Sequence, residues 1–127
     1  MDPCPFCNLS ITQIIAQNDL AIAIYDKFPV NEGHILIISK RHFAYFFDAT
    51  VEEMMALWEL ISKVKKELDE RFKPDGYNVG VNVGEAAGQT IFHLHIHVIP
   101  HYKGDADSPR GGIRKIKPSL VPYLEES

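Results

Sequence analysis

The chain has 127 residues, 46% apolar and 24% charged, the profile of a globular protein with one domain and a core that needs no disulfide staples. Against 17 acidic residues stand 13 basic ones, a net charge of −4 that argues against non-specific binding to a nucleic-acid backbone. No basic stretch followed by an apolar run opens the chain, and no apolar stretch approaches the roughly 18 residues of a membrane helix, so a cytoplasmic protein is expected.

Cys4-Pro5-Phe6-Cys7 comes first. Two thiols this close cannot staple a fold, which leaves metal binding, redox chemistry or no special role. IIAQ (14–17) and LAIAIY (20–25) are apolar and flank Asn18-Asp19, the pattern of a hairpin. FPVNEG (28–33) reads as a loop and HILIIS (34–39) as a buried strand. The longest helix is expected over 50–72, where Thr50 and Glu53 match a capping box. Met54, Leu57, Trp58, Ile61, Val64, Leu68 and Phe72 follow helical spacing, with Glu52, Glu59, Lys63, Lys66, Glu67 and Glu70 largely opposite. That stripe reads as core, with a dimer contact as the alternative, and Pro74 and Gly76 end the helix. YNVGVNVG (77–84) alternates as a strand, GEAAGQT (84–90) is a glycine-bearing loop, and IFHLHIHVIP (91–100) is a strand closed by Pro100. Residues 101–127, rich in Gly, Pro and charge at first, read as a tail or flap of the same single domain. Strands, one long helix, then strands again imply an α+β class with a mostly antiparallel sheet.

The chemistry concentrates in His93-Leu94-His95-Ile96-His97-Val98-Ile99-Pro100. Strand side chains alternate, so the three histidines share one face and Leu94, Ile96 and Val98 the other. Three buried imidazoles with no task would leave polar nitrogens to satisfy, at a cost. One zinc cannot collect all three, because His93 and His97 lie about 13 Å apart along a strand while ligand bonds are about 2 Å. A phosphate site fits better. The 84–90 loop offers backbone N–H groups, glycines, an amide and a hydroxyl. It is no P-loop, since no Gly-Lys-Ser/Thr follows, and no carboxylate set for magnesium stands nearby.

Residues 93–99 fit the His-φ-His-φ-His-φ-φ signature, φ being apolar, and the chain resembles the histidine triad (HIT) family from Cys4 to Pro100. Asp26-Lys27-Phe28-Pro29 with Gly33-His34 resembles the family's ribose-side segment. Gly88-Gln89-Thr90 resembles its phosphate loop, and Asn82 lies where the family keeps an amide. The resemblance implies a HIT-like fold: an antiparallel sheet of about five strands, one long helix and a shorter N-terminal helical segment. It implies His95 as the nucleophile toward an α-phosphorus and His97 as a hydrogen-bond partner of the phosphate or leaving atom. His34 matches a supporting histidine, and these three form the implied catalytic set. Asp26 would bind ribose, and Asn82, Gly88, Gln89 and Thr90 would surround the phosphate. No catalytic metal is required in such a mechanism. An unperturbed imidazole is largely neutral at physiological pH and has a lone pair to offer, and a covalent nucleotidyl-His95 intermediate splits one hard displacement into two.

A branch of the family with an N-terminal Cys-x-x-Cys implies a structural zinc held by Cys4, Cys7, His42 and His93, with His101 as a competing ligand or a surface residue. The implied substrates are nucleotides, adenine ones first: dinucleoside polyphosphates or nucleoside phosphoramidates. The 85–90 loop resembles a bacterial or archaeal branch of Fhit type, and Arg110, Arg114, Lys115 and Lys117 offer charge for a longer phosphate chain. Pro100-His101-Tyr102 departs from the Hint-type ending. A homodimer is implied, without nucleic-acid or membrane partners. Two rivals remain: a nucleotide-binding or scaffold protein with incidental turnover, and a metal-dependent hydrolase using the triad as ligands.

Overall fold

Asn18 makes the first reversal of the chain. Its Oδ1 accepts from the N–H groups of Leu20 and Ala21 at 3.1 and 2.9 Å, a side chain standing in for backbone in a turn. In the computed structural model, which describes residues 4–117, this turn joins β1 (Ile14–Gln17) to β2 (Ala21–Tyr25). The Asn18 Nδ2 donates to the Ala56 carbonyl at 2.8 Å and ties the hairpin to the long helix. β3 (Ile35–Ser39) follows, buried at every residue. Both its faces are covered, so its sequence runs apolar without alternation.

α1 spans Val51–Phe72. The capping box is closed in both directions: Glu53 N–H donates to Thr50 Oγ1 at 3.1 Å, and Thr50 N–H donates to Glu53 Oε1 at 2.9 Å. Lys73 in the left-handed region, followed by Pro74, ends the helix. Leu57, Leu60, Val64 and Leu68 form its buried line. Trp58, expected in that stripe, is 66% exposed. One residue past Leu57 turns the side chain about 100° around the axis and off the sheet.

β4 (Gly76–Gly80) and β5 (His95–His101) complete one antiparallel sheet in the order β1-β2-β3-β5-β4. Ala21, Ala23, Ile35, Ile37, Leu94, Ile96 and Val98 pack with α1 in the main core. Ile24, Leu36 and Ile38 point the other way and pack with Phe6. The sheet is thus covered by α1 on one face and by the N-terminal segment on the other. Full burial of such side chains contributes about 1.5–3 kcal/mol each.

The class and the sheet follow the sequence reading, with differences at the ends of elements. The strands expected over 77–84 and 91–100 are shorter at their facing ends, because the ladder stops at Gly80 opposite His97 and residues 81–94 leave the sheet. Leu94 still enters the core while His93 turns away from it, so side-chain burial keeps the alternation past the end of the regular ladder. The N-terminal segment, expected to be helical, forms turns instead, with Cys7 N–H donating to the Cys4 carbonyl at 3.2 Å and Gln13 N–H to the Ser10 carbonyl at 3.0 Å. Pro5 has no N–H to donate, and the segment bends tightly enough to bring both thiols together. Residues 102–117 form exposed turns and a 3-10 helix at Gly112–Ile116, while the rest of the expected tail, 118–127, lies outside the described residues. Among the described residues no helix is long and apolar enough to cross a membrane.

Gly33 closes the loop before β3 with φ +91. A Cβ there would lie 3.1 to 3.3 Å from Phe72, Pro100 and Leu68. The sharp approach it permits sets the next residue, His34, behind the face of β5 that carries the histidines.

Candidate active site

β5 pairs with β3 so that His95 lies opposite Ile38 and His97 opposite Leu36. Both imidazoles therefore rise from the face turned away from α1. A cavity of about 450 Å³ opens there, within the usual size of small-molecule sites. Its floor is apolar, built from Phe6, Leu9, Ile24, Leu36 and Ile91. Asp26, Asn82, Thr90, His95 and His97 add polar groups to its lining.

Backbone contacts fix the tautomers. His95 Nδ1 lies 2.8 Å from the carbonyl of His93. A carbonyl only accepts, so Nδ1 carries the hydrogen and Nε2 keeps its lone pair. At His34 the order is reversed. Val30 N–H donates to Nδ1 at 3.0 Å, which leaves the hydrogen on Nε2. That Nε2 lies 3.0 Å from His97 Nδ1 and 3.4 Å from Asp26 Oδ2. With His34 as donor, His97 accepts at Nδ1 and carries its hydrogen on Nε2. The two triad histidines thus differ: His95 offers an electron pair and His97 an N–H. Asp26 is held by Phe28 N–H at 2.8 Å.

Burial favours the uncharged form of His97 and His34. His97 is pushed down to about 4, first by loss of water and then by His95 and His34, with Asp26 pulling the other way. His34 is also lowered by burial, against Asp26. A neutral neighbour does not repel positive charge that develops on His95.

The structure brings Asp26, Asn82, Gly88, Thr90, His95 and His97 around one cavity, with His34 directly behind His97. Gln89 is placed differently from the expectation of a phosphate donor. It is buried, its Oε1 accepts from Gly84 N–H at 2.8 Å, and its Nε2 donates to the carbonyls of Ala44 and Ile91. The amide is consumed in bracing the loop. The N–H groups of Ala87, Gly88 and Gln89 also bond inside the loop. The polar groups left to line the cavity from this side are the Asn82 amide and the Thr90 residue. Phe6, Leu9 and Ile91 are lining residues that the sequence reading does not single out. Arg41 is another omission. It forks onto both carboxylate oxygens of Glu53 at 3.0 and 2.8 Å, steadying the turn that presents His42.

Next to the cavity, Cys4, Cys7, His42 and His93 bring four ligand atoms within 4.8 Å of one another. His93 Nδ1 lies 3.3 Å from Cys4 Sγ, 3.5 Å from Cys7 Sγ and 3.1 Å from His42 Nδ1, and His42 Nδ1 lies 3.2 Å from Cys7 Sγ. A tetrahedral zinc with bonds of about 2.0–2.3 Å separates its ligands by about 3.3–3.8 Å, so these four separations fit after shifts of a few tenths of an ångström. The far nitrogen of His93, Nε2, donates to the Ser39 carbonyl at 2.7 Å, which aims Nδ1 at the centre. His101 stands apart, paired with Asp105 at 3.1 Å. Asp26, His34 and His97 also cluster. There, however, His34 Nε2 carries hydrogen because Nδ1 accepts from Val30, so that nitrogen has no lone pair for a metal.

Comparison with known proteins finds similar chains. An uncharacterized HIT-like protein of Saccharolobus solfataricus is 30% identical over 98% of this chain and 86% of its own length. A Dictyostelium discoideum protein named bis(5'-adenosyl)-triphosphatase is 34% identical over 76% of this chain, which spans 65% of that protein. A zinc-bound histidine triad family protein from Mycobacterium smegmatis superposes with a TM-score of 0.68 at 32% identity, covering 75% of this chain and 69% of that one. Residues 10–104 match the HIT domain, and the chain belongs to the HIT family.

Proposed function

We propose that the chain is a nucleotide hydrolase or nucleotidyl transferase that works through a covalent nucleotidyl-His95 intermediate. The observation that carries this reading is the opposite polarity of the two cavity imidazoles. His95 Nδ1–H is held by the His93 carbonyl, and His97 Nδ1 accepts from His34. In the first step the Nε2 lone pair of His95 attacks the α-phosphorus, and the bond from phosphorus to the leaving atom breaks with its electron pair on that atom. His97 Nε2–H hydrogen-bonds the phosphate or the leaving atom, and the His93 carbonyl offsets the positive charge on the substituted ring. In the second step water attacks phosphorus, the electron pair of the P–N bond returns to Nε2, and the water's proton passes to solvent through the phosphate. Positioning and preset donors supply most of the acceleration.

Asp26 is assigned the ribose hydroxyls, Asn82 and Thr90 the phosphate, with Gly88 giving it room as lining, and the apolar floor the base. The Dictyostelium relative's name favours adenine dinucleotides as substrates. Zinc at Cys4, Cys7, His42 and His93, a homodimer and a reducing, cytoplasmic setting for the two thiols complete the proposal. Replacing His95 with Asn tests it. Turnover of a dinucleoside polyphosphate should fall by about three orders of magnitude or more while AMP still binds, since only the nucleophile is removed. Normal hydrolysis by that variant would rule the mechanism out.

A further inference from the structure

Phe6 stands between the Cys/His cluster and the cavity. Its chain neighbours on either side include Cys4 and Cys7, and its ring centroid lies 6.0 Å from that of His93 and 5.1 Å from that of His95, edge-on to both. It packs on Ile24, Leu36 and Ile38 and lines the cavity together with Pro5 and Leu9 of the same segment. The wall over the nucleophile is therefore built from the stretch that supplies two of the four ligand atoms.

Little else holds this stretch. Its backbone joins no strand, and the hydrogen bonds within it, Cys7 N–H and Asn8 Nδ2 to the Cys4 carbonyl, are local. The burial of Phe6, with Cys4 and Leu9 partly buried beside it, is worth less than the entropy of ordering six residues. An anchor that joins Cys4 and Cys7 to His42 and His93 removes that freedom and fixes the residue that lies between them in sequence.

We infer that Phe6 is a positioning residue through which a zinc-type ion at Cys4, Cys7, His42 and His93 tightens nucleotide binding. The inference rests on the nucleotide reading of the cavity. Its physical content is a coupling: the ion holds the Cys4–Cys7 turn, the turn holds Phe6, and Phe6 holds the cavity wall and the edge of the His95 ring. Such coupling is reciprocal, so nucleotide must tighten the ion by the same factor.

The test is the zinc affinity of the full chain, measured by chelator competition with and without saturating AMP. For the wild type we expect about tenfold tighter zinc with AMP present. In Phe6→Ala the tightening should disappear while zinc still binds one per chain, and KM should rise more than kcat falls. Phe6→Leu, which restores an apolar wall, should regain most of the coupling. If Phe6→Ala does not fold, Phe6→Val takes its place, with a loss of coupling greater than that of Phe6→Leu. Equal tightening in wild type and in Phe6→Ala would overturn the inference, because the coupling would then bypass the ring. AMP that binds the wild type without changing its zinc affinity would overturn it too. Failure of the zinc-loaded wild type to bind AMP at all would strike the nucleotide reading itself.

Discussion

A neutral imidazole donates at one nitrogen and accepts at the other, so a single contact at one nitrogen orients each of these rings. Val30 N–H does this for His34, which passes the order to His97, and the His93 carbonyl does it for His95. The arrangement needs uncharged rings, and that makes it sensitive to acid. His97 titrates at about 4 in the folded chain against 6.5 ordinarily, so the unfolded chain takes up its proton first. The neutral ring's contribution is complete above pH 6.5 and is lost as pH falls toward 4. Urea midpoints should drop across that window, and His97→Gln should flatten the slope without abolishing it, because His34 is lowered as well. An unchanged slope in that variant would remove His97 as the source. The alternation that puts His95 and His97 on one face is plain in the sequence. The fate of Gln89 is not. Composition shows an amide in the loop, but only the fold shows that the Ala44 and Ile91 carbonyls already accept from its nitrogen and that Gly84 N–H already donates to its oxygen.

Elements were legible where a strong local signal and the tertiary demand agree. Thr50 and Glu53 close their capping box, and Asn18 makes its turn. The facing ends of β4 and β5 were not legible, because alternation records which side chains are buried and is blind to whether the backbone is paired. The helix stripe shows the same limit, since its spacing admits both Leu57 and Trp58 but the sheet receives a narrower line. Loops can be as exacting as elements. At Gly33 an alanine would combine a left-handed φ with contacts of 3.1 to 3.3 Å to three core side chains. Gly33→Ala should cost about 2 kcal/mol or more, read as a lower Tm, and should displace His34 enough to lower kcat. A variant of wild-type Tm would mean that the loop relaxes freely.

At the scale of the molecule, two layers are stacked on one sheet, a helix on one face and a pinned N-terminal segment on the other. The first is held by a continuous core and the second by few contacts. Elemental analysis should find about one zinc per chain, and Cys7→Ser should lower both metal content and Tm by removing one of four ligands. Purified protein without zinc would end that assignment. A homodimer predicts twice the 14.4 kDa chain mass in light scattering, and a single-chain mass at working concentration would refute it. Because imidazoles and branched aliphatic residues alternate along β5, a slip of one residue against β3 would exchange the two sets. The histidines would be driven into oil, and Leu94, Ile96 and Val98 would face the cavity. Inserting or deleting a single residue within β5 thus has no mild form: folding and chemistry are read in the same frame and should be lost together.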